Sequence, residues 1–294
     1  MAKSRNERVA VVGLGAIGLP VAINLAKKGS TVQGFNRSKK NRDTASASDI
    51  DVKNSLEEID ARIIFTALPD MPQVLEVLDN GLRKNMKPGD IFVVMGTVSP
   101  IAMKQLAIDL ESEGIEVLDA PVSGGDVGAQ NGTLSIMVGG KKEVFDQVLP
   151  YFQQMGQTIR LLGPVGSGEF AKAANQIVVA VTLTALAEAI TLARSAGLDT
   201  TELLDILAGG LAGSQVLNVK REKIESGDFT PGGSAVFQLK DLRFALEAGQ
   251  ENGTALPVTK KVTELFASLV ENGDGSLDHS SIIREIERMS HISK

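Results

Sequence analysis

The sequence predicts an open, doubly wound α/β sheet followed by an all-helical domain. Three observations carry this. Short β-rich runs alternate with helical stretches through the first 165 residues. A glycine cluster, Gly163-Pro164-Val165-Gly166-Ser167-Gly168, ends the alternation. Beyond it, Glu169–Ala196 runs on without Pro or Gly. Strands alternating with helices imply parallel pairing with both sheet faces covered. Right-handed crossovers then wind the sheet in both directions. The expected domains are residues 1–165 and 166–294, joined by the long helix.

Taken in order, Arg8–Val12 is an apolar strand ending on Gly13, and Ala16–Lys28 has helical spacing up to Gly29. Thr31–Phe35 is the second strand. Ile63–Ala67, Ile91–Met95, Glu116–Asp119, Leu134–Val138 and Thr158–Leu161 continue the series, with helices at Gln73–Asn80 and Ile101–Glu113 between them. The Ala-rich run predicts a helix of about 40 Å at 1.5 Å per residue, stopped by Gly197. Asp199-Thr200-Thr201-Glu202 reads as a capping box opening the next helix. Further helices are expected over Ser214–Glu225, Ala235–Glu251, Val258–Glu271 and Ser280–Ser290.

Composition removes several function classes. The 294 residues include no Cys, which excludes a disulfide scaffold, a thiol nucleophile and Cys-ligated metal. Two histidines, His279 and His291, do not make a His-rich metal centre and read as surface or packing residues, so no metal is expected. A net charge of −6, no Trp and one Tyr argue against nucleic acid as a partner. No apolar run reaches about 18 residues without a polar break, so no membrane span is expected. The opening Met-Ala-Lys-Ser-Arg-Asn-Glu-Arg lacks a signal-peptide core, which makes a cytoplasmic location the default expectation.

Gly13-Leu14-Gly15-Ala16-Ile17-Gly18 follows the first strand and opens the first helix. This is G-x-G-x-x-G in the context of a Rossmann-like dinucleotide fold. Gly13 makes the tight turn, Gly15 lets a pyrophosphate approach the backbone, and Gly18 allows close helix–strand packing. At the end of the second strand an acid would bind the ribose 2′-hydroxyl of NAD. Here the residues are Asn36-Arg37-Ser38, followed by Lys39 and Lys40, which suit a 2′-phosphate. The expected cofactor is NADP, with NAD possible.

Two further segments carry chemistry. Lys172 lies in the first turns of the long helix, with Asn175 and Gln176 three and four residues on, along one face. The helix dipole and burial both disfavour its charged form and move it toward acid/base use. A lysine on an Ala-rich helix is by itself more often solvated; its neighbours in the motif shift the reading. Ser123-Gly124-Gly125 ends a strand in a glycine turn, where backbone N–H groups and the hydroxyl suit a small carboxylate substrate. Tyr151 has no Lys four residues later, which excludes Tyr/Lys chemistry.

With four segments in order, Val11–Gly29, Asp119–Gly140, Gly163–Gln176 and Lys240-Asp241-Leu242, the chain resembles the β-hydroxyacid dehydrogenases over nearly its whole length. This is the 3-hydroxyisobutyrate dehydrogenase and tartronate semialdehyde reductase type. Phe65-Thr66-Ala67-Leu68-Pro69 and Thr97-Val98-Ser99-Pro100 also match. The resemblance implies NAD(P)-dependent interconversion of a 3-hydroxy acid and its aldehyde or ketone. It makes Lys172 the acid/base, and gives Ser123, Gly124 and Gly125 the substrate carboxylate. Asn175 and Gln176 position substrate or lysine. Leu68, Pro69, Thr97 and Lys240 join the cofactor site. A homodimer or homotetramer built through the helical domain is implied as well. Two departures stand out. Val94-Met95-Gly96-Thr97 replaces the family's Asp-x-Ser-Thr, and Gln176 stands where many members have Asn.

Phe229-Thr230-Pro231-Gly232-Gly233-Ser234 is expected to be a flexible loop. Two alternative functions are an imine reductase-like enzyme and a non-catalytic NADP-binding sensor of the same fold. Retention of Lys172 counts against both.

Overall fold

The computed structural model describes residues 8–290, in two compact units that divide between Lys172 and Ala173. His291 lies outside the described residues. The first unit is built on nine strands: β1 (Arg8–Val12), β2 (Thr31–Phe35), β3 (Ile50–Val52), β4 (Ile63–Thr66), β5 (Ile91–Val94), β6 (Glu116–Asp119), β7 (Val122–Ser123), β8 (Leu134–Gly139) and β9 (Gly156–Gly163). They form one sheet in the order β3-β2-β1-β4-β5-β6-β8-β7, with β9 on the other side of β8. From β3 to β6 every pairing is parallel, as β1 shows in register with β2 and β4 (Val9 opposite Val32 and Ile63).

Helices α1 (Gly18–Lys27), α2 (Lys39–Ser46), α3 (Met71–Val77), α4 (Arg83–Asn85), α5 (Pro100–Glu111), α6 (Gly125–Asn131) and α7 (Lys142–Met155) cover both faces. The alternation along a strand explains why two cores form. Val9 and Val11 of β1 pack with Leu25 and Phe152 on one side, while Ala10 and Val12 pack with Leu78 and Leu110 on the other. Tyr151 of α7, the chain's single tyrosine, lies half-buried against the first of these cores.

The sheet departs from all-parallel pairing at one edge. β8 runs antiparallel to β6 and β7. The connection from β7 to β8 passes through Gly124 and Gly125, whose φ angles of 126° and 64° favour glycine, and the seven-residue α6, too short for a parallel crossover. The fourteen-residue α7 then provides a crossover, and β9 pairs parallel to β8.

Helix α8 (Ser167–Ser195) starts in the first unit and continues into the second. The second unit adds α9 (Thr200–Gly209), α10 (Gln215–Ser226), α11 (Ala235–Glu251), α12 (Pro257–Leu269) and α13 (Ile282–Met289). Its core gathers Leu183 and Ile190 of α8, Leu242 of α11, Phe266 of α12 and Ile282 of α13. Asp199 caps α9 by accepting from Thr201 N (2.8 Å) and Glu202 N (3.0 Å). By length and mean hydropathy α8 would be long and apolar enough to cross a membrane, although Thr182, Thr184 and Glu188 interrupt its apolar run. Its buried face nevertheless makes the core just described, and 44% of its most apolar stretch is buried.

The 229–234 segment is tied down at several points. Asp278 N donates to Phe229 O (2.9 Å), Gly232 N to Asp278 Oδ2 (3.0 Å) and His279 N to Gly233 O (2.8 Å). Flexibility read from its glycines gives way to a strap hydrogen-bonded to residues 278 and 279.

Candidate active site

The glycine loop assigns a separate reason to each glycine. A Cβ on Gly13 (φ 97°) would lie 2.5 Å from Ala67 O, and one on Gly18 would lie 1.8 Å from Gly13 O. Both positions are closed by backbone. At Gly15 a Cβ would meet no protein atom within 4 Å, and the residue is exposed beside exposed Ala16. This is a backbone approach left open on the ligand side, and it fits a dinucleotide pyrophosphate. Ile17, at the start of α1, makes no side-chain cap, and the helix's first turn carries no acid.

The β2 end is stitched to this loop. Asn36 Oδ1 accepts from Leu14 N (2.9 Å), and Asn41 Nδ2 donates to Leu14 O (2.9 Å). Arg42 Nη1 holds the turn through Asn36 O (2.7 Å) and Arg37 O (2.9 Å). Asn36 therefore spends its oxygen on the loop. Arg37 and Ser38 remain exposed, with Arg37 only 3.7 Å from Glu76 in a surface ion pair. Arg42 and Asn41 were invisible as site residues in the sequence, because nothing marks a mid-helix residue as a partner of the preceding turn.

At the next two strand ends, Leu68 is half-buried, Pro69 is exposed and Thr97 is half-buried. At Gly96, where the family often has serine, a Cβ would lie 1.9 Å from Leu68 O, so the backbone packs against Leu68 more closely than a side chain allows. Ser123 ends β7 half-buried, with Gly124 and Gly125 exposed beside it.

The start of α8 is bound to these strand ends. Asp119 at the end of β6 is fully buried and accepts from Gly166 N and Glu169 N, both at 2.8 Å. Burial pushes its carboxyl up, against the downward pull of those N–H groups. A Cβ on Gly168 would lie 2.4 Å from Met137 O and 2.8 Å from Asp119 Oδ2, so the helix can start this close only on glycine. Glu169, also fully buried, accepts from Val98 N (3.2 Å), next to Thr97. One turn on, Lys172 is 7% exposed. The first unit thus holds the glycine loop, Thr97, Ser123 and Lys172 on one framework.

In the second unit Asn175 and Gln176 join a buried polar cluster. Asn175 Nδ2 donates to Gln176 Oε1 (2.9 Å), and Gln176 Nε2 donates to Asp241 Oδ2 (2.7 Å). Lys240 pairs with Asp241 at 3.1 Å and lies 4.8 Å from the Phe244 ring centroid. Gln238 is the member that sequence reasoning missed. It is 2% exposed and hydrogen-bonds both Gln176 and His279. Among the described residues no cluster of His, Cys, Asp or Glu could hold a metal.

Residues 8–163 match the family model described as the NAD binding domain of 6-phosphogluconate dehydrogenase. Residues 166–286 match NAD-binding of NADP-dependent 3-hydroxyisobutyrate dehydrogenase. The chain is 39% identical over 287 residues to 2-hydroxy-3-oxopropionate reductase of Escherichia coli (strain K12), covering 97% of this chain and 98% of that protein. It is 36% identical over 291 residues to 2-(hydroxymethyl)glutarate dehydrogenase of Eubacterium barkeri, covering 97% of each. The solved structure of Mycobacterium tuberculosis 3-hydroxyisobutyrate dehydrogenase with L-serine superposes with a TM-score of 0.85 at 29% identity, over 96% of this chain and 99% of that one.

Proposed function

The chain belongs to the β-hydroxyacid dehydrogenase family, an NAD(P)-binding oxidoreductase family, and from that premise we propose that it interconverts a small 3-hydroxy acid and its semialdehyde or keto acid, with NADP preferred. The observation that carries this reading is Lys172, buried on a helix start that is held by Asp119 of β6, four residues before Ser123, and by Glu169 accepting from Val98 N, next to Thr97. The nicotinamide, when bound, supplies or accepts hydride at the carbon of the reacting group. In reduction Lys172 Nζ gives a proton to the carbonyl oxygen. In oxidation it takes that proton back from the alcohol. Ser123 Oγ and the backbone N–H groups of Gly124 and Gly125 hold the substrate carboxylate. Asn175 and Gln176 orient the substrate. The loop Gly13–Gly18, with Asn36, Leu68, Pro69, Thr97 and Lys240, holds the dinucleotide.

Support for NADP is the exposed Arg37 and Ser38 at the start of α2, whose first turn has no acid. A guanidinium suits a phosphate there by bidentate hydrogen bonding. Support for a homodimer or homotetramer is the exposed apolar side of α8, with Val178 64% and Leu192 71% exposed.

The test is absorbance at the reduced-nicotinamide band, with NADP and NAD in parallel, against 2-hydroxy-3-oxopropionate, 3-hydroxyisobutyrate, 2-(hydroxymethyl)glutarate and succinic semialdehyde. The expected result is turnover of one acid with NADP preferred about tenfold or more, an advantage of one charge-assisted hydrogen bond. Arg37→Ala should erase that preference. NADP binding with silence across the panel would redirect the assignment to imine reduction or to sensing.

A further inference from the structure

We propose that Asp241 is a positioning residue. Through Gln176 it turns the Asn175 amide so that the oxygen faces substrate, and Asn175 therefore takes a hydroxyl hydrogen instead of a carboxylate or carbonyl oxygen. The proposal rests on the reading of Asn175 as a substrate-orienting group. Asp241 is the fixed point of the cluster, because a carboxylate between two donors only accepts. Its Oδ2 takes Gln176 Nε2 at 2.7 Å, and its Oδ1 takes the Lys240 ammonium at 3.1 Å.

Each amide is then assigned by the group before it. The end of Gln176 that meets Asp241 must be nitrogen, so its other end is Oε1. Gln238 agrees with this. Its Nε2 donates to the backbone O of Gln176 (3.3 Å), which leaves its Oε1 to accept from Gln176 Nε2 (3.4 Å). The end of Asn175 that meets Gln176 Oε1, at 2.9 Å, must in turn be nitrogen. Asn175 is half-buried, and among the described residues no donor reaches its remaining oxygen, Oδ1. Inverting Asn175 alone would set two amide oxygens against each other.

The chemistry of the ligand follows. A carboxylate and a carbonyl have no hydrogen to give. The reacting hydroxyl has one, and in the proposed reaction that hydrogen goes to Lys172. The donor for Asn175 Oδ1 is therefore a second hydroxyl, which in a three-carbon 3-hydroxy acid stands on C2. A methyl group in its place would leave the amide oxygen covered and without a partner.

Oxidation of racemic 2,3-dihydroxypropanoate and racemic 3-hydroxyisobutyrate, which carries methyl in place of the C2 hydroxyl, reads this selection at saturating NADP. Wild type should prefer the dihydroxy acid about tenfold or more in kcat/KM, mostly through KM. Asp241→Asn offers one acceptor where two are needed. With its oxygen on Lys240, its NH₂ group faces Gln176, both amides invert, and the preference should fall to within about threefold of parity. Asp241→Asn combined with Gln176→Glu exchanges acid and amide. The new carboxylate accepts at both ends, from the new amide and from Asn175, so the preference should return to within about threefold of wild type, which a loss of packing would not allow. No recovery in the double variant, or a wild-type preference in Asp241→Asn where Asn175→Ala is impaired, overturns the proposal alone. Unchanged kinetics of Asn175→Ala on both acids remove Asn175 from the substrate and overturn that reading and the proposal together. A wild-type preference for 3-hydroxyisobutyrate overturns the proposal, as does silence on both acids, with the reaction class still decided by the wider panel. A second readout needs no turnover. Neutron diffraction of the wild-type protein in heavy water should place deuterium on the Asn175 atom facing Gln176 and on the Gln176 atom facing Asp241. The reverse orientation at Asn175 overturns the proposal.

Discussion

Lys172 is almost wholly buried on a helix that is only 29 residues long but is anchored at its first turn by two carboxylates. Lys172→Ala is expected to lower kcat by about two to four orders of magnitude, the range of general acid/base catalysis. Fluorescence titration should find NADPH affinity within about threefold of wild type; an affinity loss as large as the rate loss would make Lys172 a cofactor ligand. Asp278 sets a second expectation. Burial alone would raise its carboxyl, but the charges of His279 and Lys220 and the Gly232 N–H outweigh it and hold the group at about 2. A folded value below the unfolded one gives stability that is complete above the ordinary carboxylate value and is lost as pH falls through about 2. Asp278→Asn should cost about 2 kcal/mol at pH 7, and urea unfolding repeated near pH 2.5 should show most of that difference gone. At this scale Lys172 and Ser123 were legible because their motifs are local. Asp119, Glu169 and Gln238 were not read as site members, because their hydrogen-bond partners lie 47, 50, 71 and 62 residues away in sequence.

Among the elements, the β1–α1 turn makes the sharpest distinction. Gly18→Ala drives a methyl group into the Gly13 carbonyl and should cost about 3 kcal/mol or more in folding stability. Gly15→Ala meets no protein atom and should leave stability within about 0.5 kcal/mol. It should nevertheless weaken dinucleotide binding about tenfold or more, since the methyl group occupies the phosphate's approach. A thermal melt paired with an NADPH titration of each variant checks both. Strands β1, β2 and β4–β6 were legible because burial on both faces gives most of them a run of adjacent apolar residues, as in Val9–Val12, Ile63–Phe65 and Ile91–Val94. β3, β7 and α2 were not. β3 has three residues and β7 two, too few for periodicity to register, and Lys39–Ser46 buries only Ala45. The antiparallel edge was missed because it depends on two glycine φ angles, which composition does not distinguish from a crossover.

For the molecule as a whole, the outer side of α8 is the main unspent surface. Ala174, Val178, Val181, Ala185, Glu188 and Leu192 are exposed or half-buried and follow steps of four, three, four, three and four. That is a 3.5-residue repeat, the spacing by which two helices pack side by side. A groove lined by Val181, Ala185, Val258 and Leu265 lies between α8 and α12 beside it. Light scattering should give a mass at least twice the 31.0 kDa of the chain. Val178→Glu with Leu192→Glu should reduce it to the monomer, whereas a monomeric wild-type chain would leave this stripe without the partner proposed for it.

The lone tyrosine gives the protein an optical asymmetry. With no tryptophan, phenol emission arises from Tyr151 alone, against a core of the first unit, while the second unit contributes none. Tyrosine fluorescence therefore follows the loss of one unit, and far-ultraviolet dichroism follows the helices of both. Any gap between the two melting curves measures the independence of the units, without a label. The same absence of indole leaves the emission of bound NADPH with little protein background.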